Sequence, residues 1–189
     1  MARFAAFGAV ALVVGALSWV LFYGLPNWTA SRAVVPAMTT PATAGPTEVR
    51  KIKARLFYVA DSGTKLKSVE QDVPYGEGTV EQAKAILTAQ LTPPAEGVVS
   101  ALPAGTKLRA LFVTAKGDAY VDFSRDLVSA HPGGSMSELL TVHTIVHALT
   151  NNLPGITSVQ ILVEGKEVDT LAGHVDLRRP LARDPAWVE

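Results

Sequence analysis

The chain has 189 residues, room for one domain of about 100–150 residues plus flanking segments. Seventeen Lys and Arg balance seventeen Asp and Glu, which argues against a nucleic-acid binder, and 48% hydrophobic against 18% charged residues excludes a disordered chain. The lack of cysteine excludes disulfides, thiol catalysis, thiolate–zinc sites and lipid attachment through an N-terminal cysteine.

Phe4 to Leu25 is a run of 22 residues without a charge. As a helix rising about 1.5 Å per residue it would reach roughly 33 Å, enough to cross a hydrocarbon core of about 30 Å. Trp19, Tyr23 and Trp28 gather at its C-terminal end, where aromatic rings favour a membrane interface. Only Arg3 and the terminal amine precede it. The expectation is an uncleaved single-pass anchor over residues 1–26, with the N-terminus inside and the remainder outside the cytoplasmic membrane. The alternative is a cleaved signal peptide, which wants an apolar run of about 7–15 residues and a small-x-small site. Ser31-Arg32-Ala33 serves poorly as that site. Asn27-Trp28-Thr29 matches the N-glycosylation pattern but hugs the membrane and is discounted. Residues 27–48, with Pro36, Pro41 and Pro46 among Ala and Thr, read as an extended spacer reaching roughly 70 Å.

The folded domain is expected over residues 49–182, with 183–189 as a C-terminal tail. Ile52, Ala54, Leu56 and Tyr58 alternate with Lys53, Arg55, Phe57 and Val59, the period of a strand. Asp61-Ser62-Gly63 makes a turn, and Lys65 to Val73 forms the partner strand. A helix follows, with Thr79 and Gln82 as a capping box, Val80, Ala83, Ile86, Leu87 and Leu91 as its apolar stripe, and Pro93-Pro94 as its stop. Leu108 to Val113 and Ala119 to Phe123 flank the turn Lys116-Gly117-Asp118. A second helix has Ser135 and Glu138 as its box and Leu139, Val142, Val146, Leu149 and Leu153 as its stripe, ending at Pro154-Gly155. A last hairpin turns at Glu164-Gly165-Lys166, with Val159, Ile161 and Val163 on one face and Val168 to Leu171 returning. The order ββα-ββα-ββ predicts an α+β fold, a mainly antiparallel sheet with two helices packed on one face.

Four constellations bear on chemistry or recognition. His143 and His147 stand at i, i+4 and could share a metal ion. At about 100° per residue they fall roughly 80° and 120° from the centre of the core stripe, on the flank and outer face, with no third ligand one turn on. His131-Pro132-Gly133-Gly134-Ser135 lacks the nucleophile elbow, and the capping box with Glu138 accounts for Ser135. Asp118 belongs to a turn and Asp122 points outward on its strand, so with Asp126 they make no acid pair at a catalytic spacing. Arg178-Arg179 reads as a solvated pair, with a role in partner recognition as the alternative. No catalytic, cofactor-binding or metal-ligating residue is expected.

Gly97-Val98-Val99-Ser100-Ala101-Leu102-Pro103-Ala104-Gly105-Thr106-Lys107-Leu108 resembles the GerMN domain family. So do Ala119-Tyr120-Val121-Asp122-Phe123-Ser124, Gly133-Gly134-Ser135, the segment from Leu149 through Asn151-Asn152 to Val159, Val163-Glu164-Gly165-Lys166, and Asp176-Leu177-Arg178-Arg179-Pro180-Leu181. The resemblance spans roughly residues 50–182. It implies an α/β fold similar to the ring-building motifs of secretion systems and a bacterial domain tethered on the outer face of the cytoplasmic membrane. Its implied role is assembly in the cell envelope or in sporulation, without established catalytic residues. Many members are anchored through a lipidated cysteine, whereas here residues 4–25 would take that part. The expected function is thus a non-enzymatic interaction module binding peptidoglycan or envelope proteins. The alternatives are a wall-modifying hydrolase and a metal- or small-ligand-binding domain.

Overall fold

The computed structural model describes residues 50–189. The expected anchor at 4–25 and spacer at 27–48 lie outside them. Among the described residues no helix is long and apolar enough to cross a membrane.

Strands β1 (Lys51–Val59) and β2 (Leu66–Pro74) form an antiparallel hairpin in unbroken register, from Lys51 opposite Pro74 to Val59 opposite Leu66. Helix α1 (Gly78–Leu91) follows, and Thr92 turns extended at ψ 138° because Pro93 forbids another helical residue before it. Then come β3 (Leu108–Val113), β4 (Asp118–Phe123), a short α2 (Asp126–Ser129), α3 (Ser135–Thr150) and β5 (Ser158–Val163). Two-residue strands β6 (Lys166–Glu167) and β7 (Leu181–Ala182) and a 3-10 turn at Pro185–Trp187 complete the chain. The expected order therefore acquires one short helix and one short strand.

The α+β class holds, but the single sheet does not. The β1–β2 hairpin is a sheet of its own, and β3 to β7 form a second. In the second sheet β4 pairs antiparallel with β3 and parallel with β5, and both β6 and β7 pair antiparallel with the far edge of β5. Helix α1 packs on β1, β2 and β3, α3 on β1, β5 and β7, and the two helices pack on each other. Helix α1 keeps a solvent face at Thr79, Glu81 and Thr88, whereas α3 is enclosed between hairpin and sheet. A helix so enclosed must be apolar almost all round, and every residue from Leu140 to Leu149 is buried. The expected stripe was one side of a helix that has no solvent side over this stretch.

The outer edge of β1 explains why the hairpin stays separate. Arg55 N–H donates to Asn152 Oδ1 (2.8 Å) and Asn152 Nδ2 donates back to the Arg55 carbonyl (2.7 Å). Two residues on, Gln90 makes the same reciprocal pair with Phe57, at 2.8 Å in both directions. Next, Val59 N–H donates to the Val99 carbonyl at 2.9 Å. Two amide side chains and one bridging residue thus take the place of a neighbouring strand, and the edge offers little to another chain.

Neither expected capping box forms. Helix α1 has Glu77 as its N-cap, and α3 has Gly134, neither with a side-chain cap bond. Gly134 holds φ 84°, which Ser would adopt only with strain. Gln82 instead faces back, accepting from Gly76 N–H (2.9 Å) and donating to the Pro74 carbonyl (3.2 Å). Gly76 approaches the helix so closely that a Cβ would stand 2.4 Å from the Glu81 carbonyl carbon.

Glu138 is fully buried and accepts from the N–H groups of Leu171 (2.7 Å) and His174 (2.8 Å). Burial pushes its carboxyl up, yet the amides of Ala172, His174, Leu171 and Val175 outweigh that and hold it below the ordinary 4.5. This anchor also corrects the last hairpin. The chain leaves the ladder after Glu167 because Glu138 binds the loop that follows, so Val168 to Leu171 do not return as a strand.

Candidate functional site

The second half of α3 and its C-cap carry His143, His147 and Asn151 one turn apart, on one face. The C-terminal residues lie along that face in the opposite direction. Arg183 Nη1 donates to Asn151 Oδ1 at 2.9 Å. His147 Nε2 meets the Asp184 carbonyl at 3.0 Å. The Trp187 ring stacks on His143 with centroids 5.1 Å apart and planes 18° from parallel. Asp184 Oδ1 caps the 3-10 turn by accepting from Ala186 N–H (2.9 Å), and Glu189 N–H donates to the Leu66 carbonyl (3.0 Å). Residues 183–189, set apart in the sequence as a tail, are a strap across α3 pinned to the start of β2.

This strap overturns the placement of the histidines. His143 is 8% exposed and His147 1%, so neither stands on an outer face. Both are kept neutral. Burial, then the neighbouring His147, lowers His143 to about 4. Burial likewise lowers His147, against the pull of the Asp184 carbonyl. A carbonyl can only accept, so His147 Nε2 carries the proton, and Nδ1 accepts from Asn151 Nδ2 at 3.0 Å. His143 Nδ1 is buried without a partner among the described residues. No group of three His, Asp or Glu that could hold a metal occurs among the described residues.

Beside the strap opens a cleft of about 410 Å³, between the hairpin, the end of α3 and the strap. Arg55 and Ser68 line it from the hairpin, His147 and Asn151 from α3, and Arg183 from the strap, while Phe57, Pro185 and Val188 supply apolar wall. No carboxylate side chain is among the lining residues. Ser68 and His147 share the cleft, but both imidazole nitrogens are engaged, so His147 has no free lone pair with which to take a hydroxyl proton. Two guanidinium groups, the Ser68 hydroxyl and an apolar wall are what the cleft offers.

The other sequence candidates are occupied in the fold and do not converge. His131 Nδ1 accepts from Gly133 N–H (3.0 Å), leaving Nε2 to donate to Thr141 Oγ1 (3.2 Å), which donates to the Ala101 carbonyl (2.6 Å). Asp122, expected to point outward, is 7% exposed. It accepts from Gly165 N–H (2.7 Å) and meets Arg109 at 3.4 Å, where the β3–β4 register shifts. Asp118 accepts from Ser158 Oγ (2.6 Å) and Asp126 from Ser124 Oγ (2.8 Å). Arg178 forks onto Asp176 at 2.9 and 2.8 Å, in the open. Sequence reasoning missed Arg55, Asn151 and Arg183. The one available signal was the apolar pair Pro185 and Trp187 in a supposedly loose tail.

The Germane family, described as sporulation and spore germination, matches residues 55–169. No curated protein matches the sequence. Among solved structures, the tandem GerMN domains of the sporulation protein GerM from Bacillus subtilis share 17% identity, covering 70% of this chain and 46% of that one, with a TM-score of 0.55. The first GerMN domain of the same protein shares 18% over 70% of this chain and 98% of its own, at 0.50. A candidate lipoprotein from Clostridium perfringens shares 22%, covering 76% and 95%, at 0.51. This chain spans less than half the length of the tandem-domain protein. The likenesses carry the fold, and the family match extends from within β1 past β6; the chain belongs to the Germane family of GerMN-like domains.

Proposed function

We propose that this protein is a membrane-anchored, extracytoplasmic, non-enzymatic interaction module of the bacterial cell envelope, docking onto peptidoglycan or envelope proteins. The observation that carries the reading is the cleft beside the strap, which offers donors and positive charge around a histidine whose two nitrogens are both engaged. Such a surface is suited to holding a partner. Membership of a family described by sporulation and spore germination supports an envelope setting, and the uncharged run at 4–25 supports the anchor.

Sedimentation of the full chain, in mild detergent, with purified peptidoglycan tests the reading. Co-sedimentation without released fragments supports a wall-binding module. Without co-sedimentation, crosslinking in intact cells to an envelope protein supports the protein-docking form. Soluble muropeptides released at a rate abolished by one carboxylate substitution would overturn it in favour of a hydrolase.

A further inference from the structure

We propose that the cleft between the hairpin and the C-terminal strap binds the free α-carboxylate of a peptide whose last residue is apolar, with Arg55 and Arg183 holding the carboxylate. The inference rests on the docking role proposed above and names the chemistry by which a partner is recognised. Arg183 uses one N–H on Asn151, and among the described residues no carboxylate pairs with it, so the rest of its donor fork is available. Arg55 enters from the opposite wall. Its contact with Glu70 is 3.9 Å long, between side chains 60% and 64% exposed, too loose to withdraw the guanidinium. Two cations and no lining acid leave the cleft with an excess of positive charge that a bound carboxylate would offset in part.

The remaining surfaces select a peptide end over a bare anion. Phe57, Pro185 and Val188 form an apolar wall beside the guanidinium groups, which inorganic phosphate would leave unused. The 410 Å³ volume lies within the range of about 300–1,000 Å³ usual for small-ligand sites. Asn151 is held between His147 Nδ1 and Arg183, so Arg183 is positioned before any ligand arrives. A free peptide carboxylate could come from a wall stem peptide or from the C-terminus of an envelope protein.

Titration of the full chain in mild detergent with N-acetyl-Ala-Ala, as free acid and as amide, tests the proposal. The acid is expected to bind, with the amide weaker by about tenfold or more, as for loss of a charge-assisted fork. Arg55→Ala should abolish the preference for the acid, and being on an exposed strand position it leaves the strap seated. Arg183→Lys should weaken binding similarly, because an ammonium cannot fork. Equal binding of acid and amide, tighter binding of inorganic phosphate than of the acid, or wild-type affinity in Arg55→Ala would each overturn the inference. Competition by the free acid against peptidoglycan co-sedimentation marks a stem peptide as the source. Competition against crosslinking to an envelope protein marks a protein C-terminus. Wall or protein docking that is indifferent to both Arg substitutions refutes this inference alone. Acid binding without either kind of docking refutes the broader function alone.

Discussion

His143 and His147 are ordinary in type and unusual in place. Both have folded-state values below the ordinary 6.5, His143 at about 4, because burial disfavours the imidazolium. The groups around them act in both directions: Arg183 and the histidines disfavour a proton, and Asp184 favours one. The unfolded chain takes up protons below pH 6.5 that the folded chain refuses until about 4. Stability is therefore expected to be full above pH 6.5 and to fall as the pH drops toward 4, measured by urea denaturation across that window. His143→Phe keeps a ring against Trp187 and removes the buried, unpartnered Nδ1. It should raise stability at pH 7 by about 1 kcal/mol and flatten this part of the pH profile. Glu138 is also held below its ordinary value, by the backbone amides of the 171–175 loop. Its contribution is present above the ordinary 4.5 and lost as the pH falls through its depressed value. Glu138→Gln turns one acceptor into a donor facing the 171–175 loop, and should destabilise by about 1–3 kcal/mol.

At the scale of elements, the hairpin edge and the strap do the joining. The open side of β1 is held by Gln90 from the last turn of α1 and Asn152 just beyond α3, so both helices are tied to one strand by side-chain amides. Gln90 is fully buried, and Gln90→Ala would leave the Phe57 N–H and carbonyl without partners in an apolar interior. A loss of about 2–4 kcal/mol is expected. Hydrogen exchange should show it as faster exchange at Phe57 than at residues of β4. Asn152 is more exposed, and Asn152→Ala should do the same at Arg55 with a smaller loss. Equal protection at both amides in the wild type and the variants would mean that the pairs hold little of the edge. The strap works through three contacts at successive helical turns: Asn151 with Arg183, His147 with Asp184, and His143 with Trp187.

At the scale of the whole molecule, the proposed function depends on where the domain sits as much as on its cleft. The uncharged 4–25 run and the Pro-rich 27–48 spacer lead to a prediction of a single-pass protein with its domain outside the cytoplasm. Protease added to intact spheroplasts should digest the domain and spare a small N-terminal fragment. Full protection of the domain would contradict the topology, and a shortened soluble form in the medium would indicate cleavage after the apolar run. The tandem-domain relative places two copies of such a unit in one chain, whereas the family match here covers one stretch, residues 55–169. Among the described residues, the cleft beside the strap would engage one peptide end at a time under the proposed chemistry.

What the sequence determined by itself was local. Alternation in residues 51–59 and 158–163, the apolar spacing of both long helices and the prolines that stop α1 gave the strands, helices and α+β class, because each is set by neighbours a few residues away. Quoted motifs in their order were enough to indicate the family. Tertiary structure decided everything that depends on distant partners. Ser135 and Thr79 satisfied the capping pattern, yet Gly134 and Glu77 took the caps, since Glu138 and Gln82 were drawn to the 171–175 loop and to Pro74 and Gly76. Asp122 and the two histidines read as outward from the period alone. They are buried because a turn, a hairpin and a C-terminal strap close over faces that periodicity leaves to solvent. Periodicity reports which side of an element is apolar; what covers the other side is settled only when the chain returns to it, and Arg55 meets Arg183 in one cleft for that reason.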